Sequence, residues 1–363
     1  MLILGLVAIC PLIVKILLDT SKNDYLNYDK KNIKENKYIL IFLGIITVLI
    51  MGLRDRYAGT TDTDNYCKGF LSAGKYDSYF EYINTCIKES GWLFSELGFY
   101  SCNYMLAQIT SNYQILIFLS SLFITYSVYR FIYKNSQDVI LSVAMYICLG
   151  MFTFNMNGMR QALAMSICLW AYEFIKEKKP IKFLIVVFVA MLFHKTAIIF
   201  GLCYFIKYLK FDFKSLSIFL LILLAIVVFN SQIVTFFDDI YDKNYAEGES
   251  FLSGGIAQIA IYVLVVLSVI INLDCLKSEN NKNIFFMSIL AIFFFVLRFI
   301  GTQVFERISY YFAFYTVLLL PSSLSNLQSK EKSFVSVIIM IVSILLFIYR
   351  ISSGIFVNFV LCF

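Results

Sequence analysis

Long apolar runs separated by short charged loops make up most of this chain. A helix needs ~20 apolar residues to cross a bilayer. Runs suited to that task are predicted at residues 2–18, 38–53, 114–133, 139–156, 160–175, 215–235, 255–273, 284–301, 308–320 and 334–350. With only 3 prolines, most of them can be unbroken helices. Two stretches fit less simply. Residues 92–109, from Trp92 to Ile109, carry Glu96, Ser101, Asn103 and Gln108, which is too polar for lipid and suits the interface. Residues 183–206 are apolar but interrupted by His194, Lys195 and Thr196.

Loop charge decides the second stretch. Four lysines lie in Lys176–Lys182 and three in Lys207–Lys214, so both loops read as cytoplasmic. One crossing between them would leave one loop outside. Residues 183–206 are therefore expected to enter and return, with His194 at the bend and each limb about half a span. Such a re-entrant hairpin is allowed where it is buried in protein or lines a cavity. On this parity Lys22–Lys37, Arg130–Lys134, Lys277–Lys282 and Lys330–Lys332 fall inside. The acidic loop Asp238–Glu249 falls outside, and so does 54–113 provided that 92–109 does not cross. The expected architecture is an all-α, polytopic membrane helix bundle of about 10–13 segments, counting the re-entrant hairpin around His194. It forms a single polytopic domain over 1–363, with an extracytoplasmic segment at about 54–113.

Composition agrees. The chain is 60% hydrophobic and 15% charged, against ~45–50% and ~25% in soluble domains; its mean hydropathy is +0.79. The 37 Phe and 25 Tyr suit two lipid–water belts. No basic region precedes the apolar stretch from Met1 to Leu18, which reads as a first span rather than a cleaved signal. The net charge of +6 sits in short loops, a topology signal and not a nucleic-acid footprint. The 9 Cys are scattered, with Cys148, Cys168 and Cys203 mid-span and no CxxC pair; they read as small core residues. With 1 His there is no metal-ligand pattern, and no metal or cofactor is expected.

Four polar clusters share the outer side. They are Arg54-Asp55-Arg56 with Gly59 to Tyr66, Asn155 to Gln161, Phe193 to Ala197, and Arg298 with Glu306 to Tyr311. Inner loops use Lys almost throughout, with Arg130 the exception, whereas Arg54, Arg56, Arg160, Arg298 and Arg307 all lie in the outer clusters. Arg suits a bidentate clamp on phosphate or carboxylate, and outer cations run against the positive-inside rule. The structural alternative is ion pairing of Arg298 or Arg307 with Glu306 or Glu96. His194 suits either a hydrogen-bonded structural residue or a general base near neutral pH. Asp62, beside Thr63 and Asp64 in what reads as a structured loop, suits a base, a sugar contact or a capped turn. An outward-facing site with several arginines fits a substrate with a diphosphate at headgroup level and a lipid tail in the bilayer.

Taken together, the clusters resemble the EpsG-type, Wzy-like bacterial polysaccharide polymerases. The carrying residues are Arg54 with Thr61-Asp62-Thr63 and Tyr66, Met159-Arg160-Gln161-Ala162-Leu163-Ala164, Phe193-His194-Lys195-Thr196-Ala197, and Glu306-Arg307 with Tyr310-Tyr311. One departure is that Thr60 stands between Gly59 and Thr61, where the family usually has Gly directly before the Thr-Asp or Asp-Thr pair. The resemblance implies a glycosyltransferase of the bacterial cell membrane. It would join oligosaccharide repeat units on undecaprenyl diphosphate, at the outer face, into capsular polysaccharide, exopolysaccharide or O-antigen. It implies Arg160, Arg298 and Arg307 on the diphosphates. Arg54 and Arg56 would hold the acceptor or the loop, Tyr66, Gln161 and Tyr310 would add substrate contacts, and His194 or Asp62 would be the base. Implied partners are the lipid-linked oligosaccharide, membrane lipid, a flippase and a chain-length regulator, with no nucleic acid. A lipid-linked glycan ligase, a flippase or exporter, and a scaffold remain as alternatives.

Overall fold

The structure, a computed structural model, describes residues 2–21, 28–58, 61–90, 96–241, 262–299, 303–352 and 359–362. In chain order it contains α1 (Leu2–Ser21), α2 (Tyr28–Gly52), α3 (Thr61–Ala73), α4 (Tyr79–Ser90), α5 (Leu97–Ala107) and α6 (Gln114–Asn135). There follow α7 (Val139–Cys148), α8 (Met151–Asn157), α9 (Met159–Lys176), α10 (Pro180–Met191) and a 3-10 helix, Lys195–Tyr208. The chain continues with α11 (Phe213–Val228), α12 (Asn230–Tyr241), a short α13 (262–267) and 3-10 turns over Ser268–Lys277. It closes with α14 (Glu279–Leu297), α15 (Gln303–Ser323) and α16 (Ser329–Ser352). Among the described residues there is no strand; an isolated bridge joins Arg54 to Leu361.

The protein is a multi-pass, all-α membrane bundle. Among the described residues, windows in 5 helices (α1, α6, α14, α15 and α16) are long and apolar enough to cross a membrane, and α7 with α8 adds a sixth, bent by 54°. Helix α15 is the hub: its spanning window is 94% buried, against 22% for α1 and 33% for α16. A helix walled in by protein need not be apolar all round. Ser309 and Thr316 on α15 therefore bond back to the carbonyls of Glu306 and Ala313. The run predicted at 308–320 accordingly extends to Gln303–Ser323. Of the span predicted at 255–273, only the part from residue 262 is described, and the acidic loop Asp238–Glu249 lies outside the residues whose side chains are described.

The hairpin predicted over 183–206 is present. Helix α10 and the 3-10 helix lie antiparallel, with Phe183 ring-to-ring at 5.9 Å from Phe200 and 5.2 Å from Tyr204. The chain reverses at Leu192–His194. Helix α10 has 12 residues, so it rises ~18 Å of a ~30 Å hydrocarbon core. Helix α5, with 11 residues, is likewise too short to cross. It packs with α3 and α4 around Ala73, Tyr82, Ile83 and Cys86, with Tyr104 stacked on Tyr82 at 5.8 Å. The segment beginning at Thr61, expected as a loop, is thus the first turn of α3.

Contacts sort the helix ends into two sets. At one end Lys15 pairs with Asp138 at 3.1 Å, Lys176 donates to Asn135 at 2.9 Å, and Tyr172 donates to Asn280 at 2.9 Å. This end carries the lysine-rich loops. At the other end Gln114 bonds the carbonyls of Gly52 and Arg54, Arg54 reaches Met156, and Gln161 reaches Arg307. The bend at His194 and the cap of α3–α5 meet at this second end. With the exposed Cys102 and Cys362 replaced by serine, Lys68→Cys in the cap should react with a membrane-impermeant maleimide on intact cells. Lys179→Cys between α9 and α10 should react only after permeabilisation. The reverse pattern would contradict this polarity.

Candidate functional site

The site is built where five chain segments meet. Helix α3 contributes Asp62 and Tyr66, four residues apart and so on one helix face. Its first turn is tied down when Thr63 donates to the carbonyl of Met156 at 3.3 Å. The same carbonyl accepts from Arg54 at 2.8 Å. Arg54 is 1% exposed and also donates to Met51 and, at 3.4 Å, to Ser121. Burial lowers its guanidinium to about 10, leaving it charged at neutral pH. Its donors go to two backbone carbonyls and the Ser121 hydroxyl, locking α2, α6 and α8 together. Arg56 is more exposed. It pairs with Asp64 at 3.5 Å, donates to Tyr57 at 2.6 Å and lies over the Tyr113 ring at 5.5 Å.

Helix α5 contributes Glu96 from the position before its first residue. Glu96 adopts φ 61°, ψ 21°, a left-handed conformation uncommon for a non-glycine residue. Two residues on, Gly98 donates to the Leu192 carbonyl at 2.8 Å. A Cβ there would stand 3.0 Å from the Phe193 ring and 3.1 Å from the Leu192 oxygen. Glycine thus lets the start of α5 press against the hairpin bend. One Glu96 oxygen accepts from the Arg160 guanidinium, and the other lies 3.1 Å from Nδ1 of His194. Glu96 and His194 are buried, whereas the Arg160 side chain is 30% exposed. Arg160 also lies over the Tyr66 ring at 5.3 Å.

The charges explain one another. Burial alone would raise the Glu96 carboxyl. The charge of Arg160 and the hydrogen bond to His194 outweigh it, and Glu96 titrates below the usual range. His194, at a bend that belongs to no spanning helix, is lowered, chiefly by burial and partly by the charges of Arg160 and Arg307, against the pull of Glu96. Histidine is therefore neutral at neutral pH. An ionised carboxylate only accepts, so Nδ1 carries the proton and Nε2 is the basic nitrogen. Burial pushes the Tyr66 phenol up, and it stays protonated.

Helix α15 contributes the remaining groups. Its Arg307 carbonyl accepts from Gln161 at 2.6 Å, and the Arg307 charge reaches His194. Tyr311 and Thr196 share a hydrogen bond at 3.0 Å. Beside this, Arg298 pairs with Glu306 at 2.7 Å, Tyr310 donates to Glu306 at 3.0 Å, and the Tyr310 ring stacks on Phe154 at 4.0 Å. Arg298 caps the end of α14 and does not interrupt it. Among the described residues no three of His, Cys, Asp and Glu gather as a metal site.

The EpsG family model matches residues 37–360. The chain belongs to the EpsG family. No curated protein and no solved structure matches it. Membership supports a Wzy-like polysaccharide polymerase acting on lipid-linked sugars in a membrane setting. In this EpsG-family protein the structure brings His194, Arg160, Gln161, Arg307 and Tyr66 together, with Asp62 one turn before Tyr66 on α3. It sets Arg298 and Tyr310 in an adjoining cluster, and Arg54 and Arg56 in the frame around α3. The residue that sequence reasoning missed is Glu96, weighed only as a partner for Arg298 or Arg307. Its signal was a carboxylate two residues before a glycine in a segment too polar for lipid.

Replacing Arg54 by methionine should lower stability and leave buried carbonyls unpaired, at ~1–3 kcal/mol for each such group. Thermal unfolding of the purified protein in detergent measures it; an unchanged midpoint would contradict the framework role.

Proposed function

We propose that the protein lengthens a bacterial polysaccharide at the outer face of the cell membrane, using repeat units carried on undecaprenyl diphosphate. The growing chain on one lipid is the donor, and the nonreducing-end hydroxyl of the next lipid-linked unit is the acceptor. The observation that carries this reading is the joint hold of Glu96 on Arg160 and His194, in a chain of the EpsG family.

The chemistry follows from that arrangement. The acceptor hydroxyl attacks the sugar carbon bonded to the donor diphosphate, a new glycosidic bond forms, and the lipid diphosphate leaves with the bonding electrons. Arg160 and Arg307 would neutralise the charge that builds on the leaving diphosphate. The hydroxyl proton passes to Nε2 of His194, and Glu96 keeps the ring in the tautomer that can receive it. Asp62 is the second candidate base. It lies one turn before Tyr66 on α3, and the Tyr66 ring lies under Arg160. The segment 54–113 would form the outer cap over this site, in a single polytopic domain spanning the chain.

The test uses purified full-length protein in nanodiscs with a lipid-diphosphate-linked repeat unit from its host. A ladder of longer glycans is expected. His194→Ala should slow it ~100–10,000-fold, the usual contribution of a general base, and Arg160→Gln should abolish detectable products. If Asp62→Asn rather than His194→Ala causes the large loss, the proton goes to Asp62. A single transfer without a ladder would favour the ligase, and uptake into proteoliposomes without any new bond would favour transport.

A further inference from the structure

Arg130 stands apart from the arginines of the site. It lies on α6 near the end that carries the lysine-rich loops. Its guanidinium carbon is 3.8 Å from the centroid of the Trp170 ring on α9, a distance reached when the guanidinium is laid on the ring face. The ring itself is fixed in place. Its Nε1 donates to the buried Ser127 hydroxyl at 2.9 Å, and Tyr126 lies beside it at 6.0 Å. Among the described residues the Arg130 guanidinium has no ion pair and no hydrogen bond. Stacking uses the flat face of the group and leaves its in-plane fork of donors, which matches a phosphate.

What surrounds Arg130 is cationic on one side and apolar on the other. One turn on, Lys134 pairs with Glu173 at 3.6 Å, and Lys176 shares that carboxylate at 3.1 Å. Three cations thus gather about one carboxylate. In the other direction Tyr126, Phe123 and Leu119 are exposed, at intervals of three and four residues back from Arg130, and so share one helix face with it. Helix α6, with 22 residues, is long and apolar enough to cross a membrane, and an exposed apolar stripe on such a helix faces acyl chains. Arg130 lies ~6 Å deeper than Lys134 along the axis, beside a tryptophan, the residue type that marks the headgroup level.

We propose that this corner of α6 and α9 binds an anionic phospholipid of the leaflet at the lysine-rich end, with its phosphate in the Arg130 fork and an acyl chain along the stripe from Tyr126 to Leu119. Basic pockets between spanning helices hold headgroups of this kind. The excess of cations over carboxylates selects a headgroup with net negative charge over a zwitterionic one. Such a lipid joins α6 to α9, the helix whose first turn carries Arg160.

The chain has 2 Trp, so in a Trp92→Phe parent the tryptophan fluorescence comes from Trp170 alone. The full-length parent is reconstituted in phosphatidylcholine vesicles containing either phosphatidylglycerol or phosphatidylcholine with brominated acyl chains, which quench a neighbouring indole. At equal mole fraction, quenching should show a preference for phosphatidylglycerol of at least about tenfold, the size expected for charge-assisted bonds. Adding Arg130→Gln should abolish the preference, and Arg130→Lys should keep part of it, because lysine has the charge without the fork. Lys214→Gln, which removes an exposed charge from another lysine-rich loop, should leave it unchanged. Equal quenching of the parent by the two lipids would overturn the proposal, as would a preference that survives Arg130→Gln or falls as far in Lys214→Gln. A Trp170 that neither lipid quenches would also overturn it, since another protein surface then covers this corner. Far-UV circular dichroism checks that each variant keeps its helices. If Arg130→Gln does not, Arg130→Lys decides, and a preference equal to the parent's overturns the proposal.

Discussion

A buried carboxylate shared between an arginine and a histidine is the constraint on which this site depends. The Glu96 carboxylate could not be taken out of water alone without a large cost. It sits between Arg160 from the start of α9, whose charge offsets its own, and Nδ1 of His194 from the hairpin bend, which donates to it. To reach them, the chain at Glu96 turns left-handed, and Gly98 allows the backbone of α5 to lie against Leu192. The position of α5, the depth of the hairpin and the start of α9 are therefore one problem with one solution. Burial, acting against the pull of the ionised Glu96, leaves His194 neutral, with its basic nitrogen directed away from the carboxylate.

The arginines of the polar clusters, alike in sequence, divide by their partners. Arg54 is wholly buried among backbone carbonyls and holds helices together. Arg56 is a surface residue shared with Asp64 and two tyrosines. Arg160 is fixed by a buried carboxylate, and Arg298 is joined to Glu306 in a pair that water still reaches. Charge count alone could not rank these roles, because the ranking lies in the burial of each partner.

How much was legible follows from the same physics. Lipid-facing helices such as α1 and α16 announce themselves by apolar runs, since little else covers them. Helix α15 was foreshortened because it is sheathed in protein and carries polar residues inside the bundle. The hairpin was readable from the lysine-rich loops that flank it. The cap was not readable as three helices, since short helices such as α3 depend on contacts like Thr63 with Met156 and not on a long periodic pattern. Glu96 was hidden because its partners lie 64 and 98 residues away in sequence. The family resemblance drew attention to Arg160 and His194 without naming the group that joins them.

Because the chain has 1 His, nitrogen NMR of histidine-labelled protein in nanodiscs reads this residue without ambiguity. Titrating wild type beside Glu96→Gln tests the shared-carboxylate account directly. The account predicts an Nδ1–H tautomer, neutral at pH 7, with a pKa below the ordinary 6.5. That pKa falls further in Glu96→Gln, because the carboxylate that favours the protonated ring is gone. An Nε2–H tautomer, a pKa at or above 6.5, or a value that does not move in Glu96→Gln would contradict it.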